Sequence, residues 1–242
     1  MGAIGIRYGC GMIVNHKHKF IFLKTWKTGG TSVELALRNL CGDGDIITRL
    51  TEDDSSAAGR GPQNYLHPRS DWPVLKRVRW RLGWRPSARR KDLLAIGYFG
   101  HTAAGEIRRR LGEDIWSSYF KFTVERNPWD REVSHYYWQT RNQRSPSSFL
   151  DFVRSGPRLD NWSIYTIDDE IIANHVIRYE NLEAGLGEAL GKIGLVAPPL
   201  PHAKGNNRPQ NTRGYKQYYN KETQEIIRSS YKREVDFFEW TY

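Results

Sequence analysis

A short segment near the amino terminus constrains the fold more than any other part of the chain. Residues 19–23 (KFIFL) form a continuous apolar run, which is typical of a strand buried in a parallel sheet. The loop KTWKTGGTS (24–32) follows directly, and apolar residues then recur at helical spacing, at Val33, Ala36, Leu37 and Leu40. The sequence therefore predicts a strand, a glycine-rich loop and a helix in succession.

Strand and helix patterns alternate along the rest of the chain. Strands are predicted at 93–99 (LLAIGYF), at 119–125 (YFKFTVE) and in a run that ends at Tyr179. One helix is predicted to start at His101 and another at Pro128, with Asn127 as its N-cap. Two more helices are predicted, one in the run through Leu190 and one in KETQEIIRSSYKREVDFF near the end. This alternation predicts an α/β fold with a mostly parallel β-sheet and helices on both faces. Ligands of such sheets bind beyond the carboxyl ends of the strands.

The length and the charge of the chain limit its organisation and its partners. A length of 242 residues fits one domain over 1–242, with the turn-rich and then basic stretch from about 50 to 91 as an insertion or lid. Thirty-seven Lys and Arg against 27 Asp and Glu give a net charge of +10, which favours an anionic partner. No transmembrane segment is expected, because no stretch approaches about 20 apolar residues.

The cysteines bear on the compartment. Cys10 and Cys41 are too few for a disulfide framework and lack the spacing of metal ligands, so a reducing compartment is expected. For a complete chain this means a cytoplasmic protein.

The glycine-rich loop is a candidate anion site. The main-chain amides of residues 29–32 (GGTS), at the start of a helix, would point at an anion such as phosphate or sulfate. Lys27 precedes the glycines, and the pattern GxxxxGK[ST] of nucleoside triphosphatases is absent, which disfavours an ATP-dependent kinase. An alternative needs no ligand: Thr31 and Glu34 have the spacing of a capping box.

A second motif follows the strand at 119–125. In RNPWDREVSHYYW, Arg126 closes the strand and Ser134 lies two helical turns further on, about 10 Å along the axis. An extended guanidinium and a hydroxyl at this separation can hold one phosphate from two sides. The alternative is an ordinary ion pair between Arg126 and Asp130 or Glu125.

The two motifs together resemble the cofactor signatures of sulfotransferases that use 3′-phosphoadenosine-5′-phosphosulfate (PAPS). The pair KTWKTGGTS and RNPWDREVS is similar to that of carbohydrate sulfotransferases of the heparan sulfate 2-O and chondroitin type and their bacterial relatives. Trp26 stands where the family has proline, and Asn127 where it has aspartate. The segments IRYENL and YKREVDFFEW are also similar to this family, so the resemblance covers most of the chain except the basic insertion.

The resemblance implies a P-loop-like fold and a role for each matching residue. The first motif would contact the 5′-phosphosulfate and the second the 3′-phosphate of PAPS, which is released as 3′-phosphoadenosine-5′-phosphate. The implied nucleotide-binding residues are Lys27, Thr28, Gly29, Gly30, Thr31, Ser32, Arg126, Ser134 and Arg213. Arg213 lies in a basic loop near the carboxyl terminus that also contains Arg208. Lys27 would also be catalytic, stabilising the departing phosphate. No metal is expected, because lysine and amide dipoles supply the compensating charge.

The acceptor and its base remain to be assigned. A hydroxyl of a carbohydrate, such as an anionic glycan or a glycolipid, is the expected acceptor. His101 is the candidate base, since a neutral imidazole can take the hydroxyl proton near pH 7; the acidic residues Glu52, Asp53 and Asp54 are rivals. Lys24 would assist with phosphate or acceptor charge, or be a solvated lysine at a strand end.

Two other functions remain open. The basic insertion, in which Trp72, Trp80 and Trp84 are interleaved with arginine, has the composition of a single-stranded nucleic-acid platform. A nucleic-acid-binding module would leave the Lys27 and Arg126 motifs unexplained, so no nucleic-acid partner is expected; a nucleotide kinase is the rival enzyme. Because animal relatives of the resembling family are anchored in the Golgi, a trimmed chain would instead belong to the Golgi lumen.

Overall fold

The computed structural model describes residues 12–49, 60–67, 72–83, 97–98, 101–201 and 214–242. One sheet contains five strands: β1 (Met12–Asn15), β2 (Phe20–Leu23), β3 (Ile46–Ile47), β4 (Phe120–Glu125) and β7 (His175–Arg178). A separate two-stranded ribbon contains β5 (Thr166–Ile167) and β6 (Glu170–Ile171).

The five-stranded sheet is mixed, with the order β3-β1-β2-β4-β7. β2 is parallel to β4, and β4 is parallel to β7, whereas β1 is antiparallel to both β2 and β3. Because β2 and β3 are both antiparallel to β1, they run in the same direction, so β1 is the one strand of this sheet for which the prediction of a mostly parallel sheet is wrong. Only the turn at residues 16–19 separates β1 from β2, and so short a connection can join only antiparallel strands.

The helices of the described chain account for most of the remaining elements. They are α1 (Gly30–Arg38), α2 (Val74–Arg81), α3 (Ala104–Leu111), α4 (Glu113–Ser118), α5 (Pro128–Thr140), α6 (Phe149–Ser155), α7 (Trp162–Tyr165), α8 (Leu182–Gly191), α9 (Lys221–Ser230) and α10 (Lys232–Phe238). The single helix predicted near the end is two helices, because Tyr231 departs from helical geometry (φ −117°). The helix predicted from His101 begins at Ala104.

Helices cover both faces of the sheet, as predicted. Side chains of β2 alternate between the faces: Phe20 and Phe22 belong to a buried cluster with residues of α1 and α8, whereas Ile21 and Leu23 belong to a second cluster with residues of α5 and α9. Because the apolar strand residues are buried on either side, β2 lies in the interior of the molecule. The loops that follow β2 and β4 therefore start from a rigid base.

Several sequence predictions are confirmed. The strand predicted at 119–125 is β4, and α5 begins with Pro128 after an Asn127 N-cap whose side chain accepts from the Trp129 amide (3.1 Å). The strand predicted at 93–99 lies mostly outside the described residues; within it, Gly97 forms an isolated bridge with Leu66. Among the described residues, no helix is long and apolar enough to cross a membrane.

Candidate functional site

The two sequence motifs meet at one edge of the sheet. β2 and β4 are parallel neighbours in which Leu23 pairs with Thr123, so the loop after β2 and the start of α5 leave the sheet side by side. The Arg126 guanidinium reaches across the gap and donates from Nη1 to the Lys27 carbonyl (3.1 Å). The predicted proximity of the glycine-rich loop and the arginine is thus present in the fold.

The glycine-rich loop has a specific backbone conformation. Lys27 and Gly29 both have positive φ (59° and 74°). A Cβ atom on Gly29 would also lie 3.0 Å from side-chain atoms of Tyr179 and Leu182, so this position requires glycine for both conformation and space. Gly29 is the N-cap of α1 and has no side chain that could cap the helix, so the main-chain amides of Gly30 and Thr31 are the ones that could bind an anion at the helix start.

The capping box between Thr31 and Glu34 does not form. Glu34 is fully buried and instead accepts from Lys24 Nζ (3.0 Å) and Arg38 Nη2 (2.8 Å). Burial raises the pKa of the Glu34 carboxyl above its ordinary value, while the two cations act in the opposite direction. The alternative interpretation of this motif, a capping box between Thr31 and Glu34, is therefore wrong.

Lys24 is a buried structural residue and not a solvated lysine. Its ammonium group donates to Thr31 Oγ1 (3.2 Å) as well as to Glu34. Its aliphatic chain crosses Gly30 so closely that a Cβ atom there would lie 2.7 Å from Lys24 Cγ. Because Thr31 accepts from Lys24, its hydroxyl proton remains available to an anion at the helix start.

The other loop threonine stabilises the loop itself. Thr28 is buried, and its hydroxyl lies 2.8 Å from that of Thr25. Thr25 in turn donates to the Val124 carbonyl of β4, so the Thr28 hydroxyl is the donor of the pair. Any contact of Thr28 with a nucleotide would therefore be made by its main chain. Ser32 lies one residue further along, and its amide donates to the Gly29 carbonyl (3.0 Å).

Asn161 is a site residue that the sequence did not reveal. Its side-chain amide accepts from the Trp26 main-chain N–H (2.7 Å), donates to the Trp26 carbonyl (3.1 Å) and lies 3.3 Å from Glu125 Oε1. Asn161 is fully buried, and it ties the loop to the end of β4. It is separated from Trp26 by 135 positions, and no local pattern marks it.

Arg126 forms the ion pair that was the alternative to a phosphate contact. Its Nε and Nη2 atoms lie 2.7 and 2.5 Å from Asp130 Oδ2, and its guanidinium carbon lies 3.9 Å from the centre of the Tyr179 ring. Ser134 is half-buried one turn beyond Asp130 on α5, on the same side of the helix. Among the described residues, the hydrogen bonds of the Arg126 side chain go to Asp130 and to the Lys27 carbonyl and not to Ser134.

His101 lies against the glycine-rich loop. Its ring stacks on Trp26 with the centroids 3.5 Å apart and the planes 16° apart. Its Nδ1 lies 2.9 Å from the Lys24 carbonyl; since a carbonyl only accepts, Nδ1 carries the proton, and in the neutral ring Nε2 carries the lone pair. The Trp26 ring therefore packs directly against the candidate base.

The Lys27 side chain leans towards α5. Its ammonium group lies 5.6 Å from the centre of the Trp138 ring, at a separation typical of a cation–π contact. Lys27 is half-buried, so its side chain is neither fully solvated nor enclosed. The Lys27 and Arg126 side chains therefore place two positive charges near the same edge of the sheet.

Some predicted site residues cannot be located. Glu52, Asp53, Asp54, Arg208 and Arg213 lie outside the described residues. The described chain resumes at Gly214, and the Tyr215 hydroxyl accepts from Asn127 Nδ2 (3.4 Å). The chain that follows Arg213 therefore returns beside the start of α5. Within the described ranges, no three His, Cys, Asp or Glu side chains are grouped as metal ligands.

The fold and the site define an α/β protein in which a glycine-rich helix start and an arginine meet at one edge of a mixed sheet. No protein-family model matches the chain, and no solved structure matches it. A protein of Archaeoglobus fulgidus, described only as an uncharacterized protein, is 36% identical over 95 residues, which are 37% of this chain and 79% of the archaeal protein. The chain belongs to the same family as this archaeal protein. That description names no activity, so the function rests on the site.

Proposed function

We propose that the protein is a sulfotransferase that moves the sulfuryl group of PAPS to a hydroxyl of a carbohydrate acceptor. The observation that carries the proposal is the contact between Arg126 and the Lys27 carbonyl (3.1 Å), which joins two motifs that lie about a hundred residues apart. The strand, loop and helix around Gly29 supply a P-loop-like anion site, and Arg126 supplies a second cation next to it. A nucleotide with phosphates at both ends matches this pair of sites.

The first site would hold the 5′-phosphosulfate. Amides of the first turn of α1, with the positive end of the helix dipole, favour a phosphate at this position. The buried Glu34 beneath the loop is already paired with Lys24 and Arg38, so its charge is compensated and it opposes an incoming anion little. The Thr31 hydroxyl adds a donor at the edge of the same site.

The second site would hold the 3′-phosphate. Arg126 now shares its charge with Asp130, and its Nη1 is bonded to the loop. A phosphate dianion carries more charge than one carboxylate, and a guanidinium presents five donors, so Arg126 can keep the loop contact and turn its remaining donors to the phosphate. Ser134, on the same side of α5, would add a hydroxyl.

Sulfuryl transfer would proceed by in-line displacement. The acceptor oxygen attacks sulfur, the bond from sulfur to the bridging phosphate oxygen breaks, and that oxygen leaves with the nucleotide as 3′-phosphoadenosine-5′-phosphate. Lys27 neutralises the negative charge that grows on the bridging oxygen. The acceptor hydroxyl loses its proton to Nε2 of His101, whose tautomer is fixed by the Lys24 carbonyl.

The test is transfer of radiolabelled sulfate from PAPS to a panel of acceptors, with glycans first, then glycolipids and tyrosine peptides. The expected result is label in a carbohydrate acceptor without added metal. His101→Gln should abolish acceptor turnover and retain nucleotide binding. Transfer of phosphate from magnesium ATP to the same panel, without transfer of sulfate, would replace the proposal with a kinase.

A further inference from the structure

Helix α2 carries an exposed apolar stripe. The four large aliphatic side chains of the stripe are exposed by 63% at Val74, 78% at Leu75, 46% at Val78 and 81% at Leu82. Elsewhere in the described ranges only Val196 and Phe237 are comparably exposed large hydrophobic residues, and they are single positions. Scattered exposed apolar side chains are ordinary, whereas a contiguous group marks a surface that is covered by something else.

The stripe has basic residues on both sides. At about 100° per residue, Val74, Val78, Leu82 and Leu75 span an arc of about 100° on the helix. On the same projection, Arg77 and Arg81 lie on one side of this arc and Arg79 on the other, and all three are exposed. The sequence of α2 thus produces a cationic amphipathic helix whose apolar side faces outward.

The opposite side of α2 is fixed to the protein. Trp80, on that side, packs edge-on against Trp72 with the ring centroids 5.4 Å apart and the planes at 84°. Trp72 is buried and donates from Nε1 to the His67 carbonyl (2.8 Å). Because the tryptophan pair holds the inner side of the helix, the apolar stripe cannot turn inward without losing this packing.

We propose that α2 docks the protein on an anionic lipid surface. An interfacial helix inserts its apolar side at the boundary between headgroups and acyl chains, and flanking Lys and Arg residues pair with anionic headgroups. The stripe of aliphatic residues and the arginines on either side match both requirements, and the net charge of +10 acts in the same direction. This surface is distinct from the glycine-rich loop and does not depend on the sulfotransferase proposal.

Other occupants fit the surface less well. A second copy packed stripe to stripe would bring Arg77, Arg79 and Arg81 against the same residues of its partner, and such like charges repel. A nucleic acid would use the arginines, but it offers the aliphatic residues of the stripe nothing to pack against, since its binding surfaces rely on aromatic stacking. An anionic membrane uses both parts.

The experiment is sedimentation of the whole protein with large unilamellar vesicles. Vesicles of phosphatidylcholine with about 30% phosphatidylglycerol should bind the protein at least tenfold more tightly than pure phosphatidylcholine, and added salt should weaken the binding. The double variant Leu75→Ser/Leu82→Ser and the double variant Arg77→Gln/Arg81→Gln should each reduce binding at least tenfold. All four residues are exposed, so the thermal midpoint should not change.

Two matched controls complete the test. Val196→Ser removes an equally exposed aliphatic side chain (89%) and Arg228→Gln an exposed arginine elsewhere, and both should bind vesicles as the unaltered protein does. The proposal is overturned if the protein does not sediment with anionic vesicles, or if the α2 variants bind as well as the controls. It is also overturned if the apolar variant abolishes a dimer seen by sedimentation velocity, or if only RNA binding depends on the arginines.

Discussion

The Arg126 side chain donates a hydrogen bond to the main-chain carbonyl of Lys27, with 3.1 Å between Nη1 and O. The contact joins the end of β4 to the loop that follows β2, at the point where Lys27 adopts a positive φ of 59°. The Arg126 side chain, at one proposed anion site, therefore stabilises the backbone of the other. Variants at Arg126 will affect both sites, which makes residues with a single role better probes.

Lys27→Ala tests the proposed catalytic role of the Lys27 charge. Alanine and lysine carry the same Cβ constraint at positive φ, so the loop should keep its conformation while turnover falls by about 10²–10³-fold. Lys19→Ala is the matched control, because Lys19 also has positive φ (52°) and is exposed in the β1–β2 turn. Sulfate transfer and thermal melting measure the two effects; equal activity in both variants would remove Lys27 from the mechanism.

Gly30→Ala tests the close crossing of Lys24 over the start of α1. The new Cβ would lie 2.7 Å from Lys24 Cγ, while the Lys24 ammonium is held by Glu34, so unfolding free energy should fall by about 1–3 kcal/mol. Gly187→Ala, in α8 with open space around the added atom, should instead stabilise by about 0.5–1 kcal/mol. Urea denaturation of both variants checks the difference in sign.

Asn161→Ala tests the buried hydrogen bonds between the Asn161 side chain and the Trp26 main chain. The variant leaves the Trp26 amide and carbonyl without their side-chain partner, so we expect a loss of about 2–3 kcal/mol in unfolding free energy. Asn39→Ala, at the exposed end of α1, should change it by less than about 0.5 kcal/mol. If the free energy of unfolding changes by the same small amount in both variants, the Asn161 hydrogen bonds contribute little to stability.

The local pattern around β2 was readable from the sequence, because an apolar run and a helical spacing each specify one element. The strand β1 was not assigned, and with it the antiparallel part of the sheet was missed. Its four residues, MIVN, follow a glycine-rich segment and show no periodicity that would predict a strand. They are buried because β1 pairs with β2 on one side and with β3 on the other. Short buried strands of this kind take their structure from their neighbours.

Residues of the candidate site that lie in a local sequence pattern could be identified from the sequence, and those outside such a pattern were missed. Lys27, Gly29 and Arg126 could be found because strand ends and glycines mark them. The pairing of Lys24 with Glu34 was not foreseen, because the spacing of Thr31 and Glu34 also fits a capping box, and only the N-cap position of Gly29 excludes it. Asn161 acts through a contact that only the tertiary fold creates.

Cys41 provides a test of the packing below the sheet. Burial, with a smaller contribution from the Asp45 charge, raises the pKa of the Cys41 thiol to about 12. Thiolate is the reactive form, and its lower fraction is partly offset by the greater nucleophilicity of a less acidic thiol. In a Cys10→Ser background, Cys41 should therefore react with a disulfide reagent near pH 8 on the order of a hundredfold more slowly in the folded protein than in guanidinium chloride. Equal rates in the two states would mean that Cys41 is accessible and ionises normally.

The most direct test of the central claim is calorimetric titration of the protein with three nucleotides: 3′-phosphoadenosine-5′-phosphate, adenosine 5′-monophosphate and adenosine 3′-monophosphate. If the glycine-rich loop and Arg126 hold opposite ends of one nucleotide, the bisphosphate should bind at least about tenfold more tightly than either monophosphate, a difference of about 1.4 kcal/mol. A bisphosphate that binds no more tightly than the monophosphates would contradict the account.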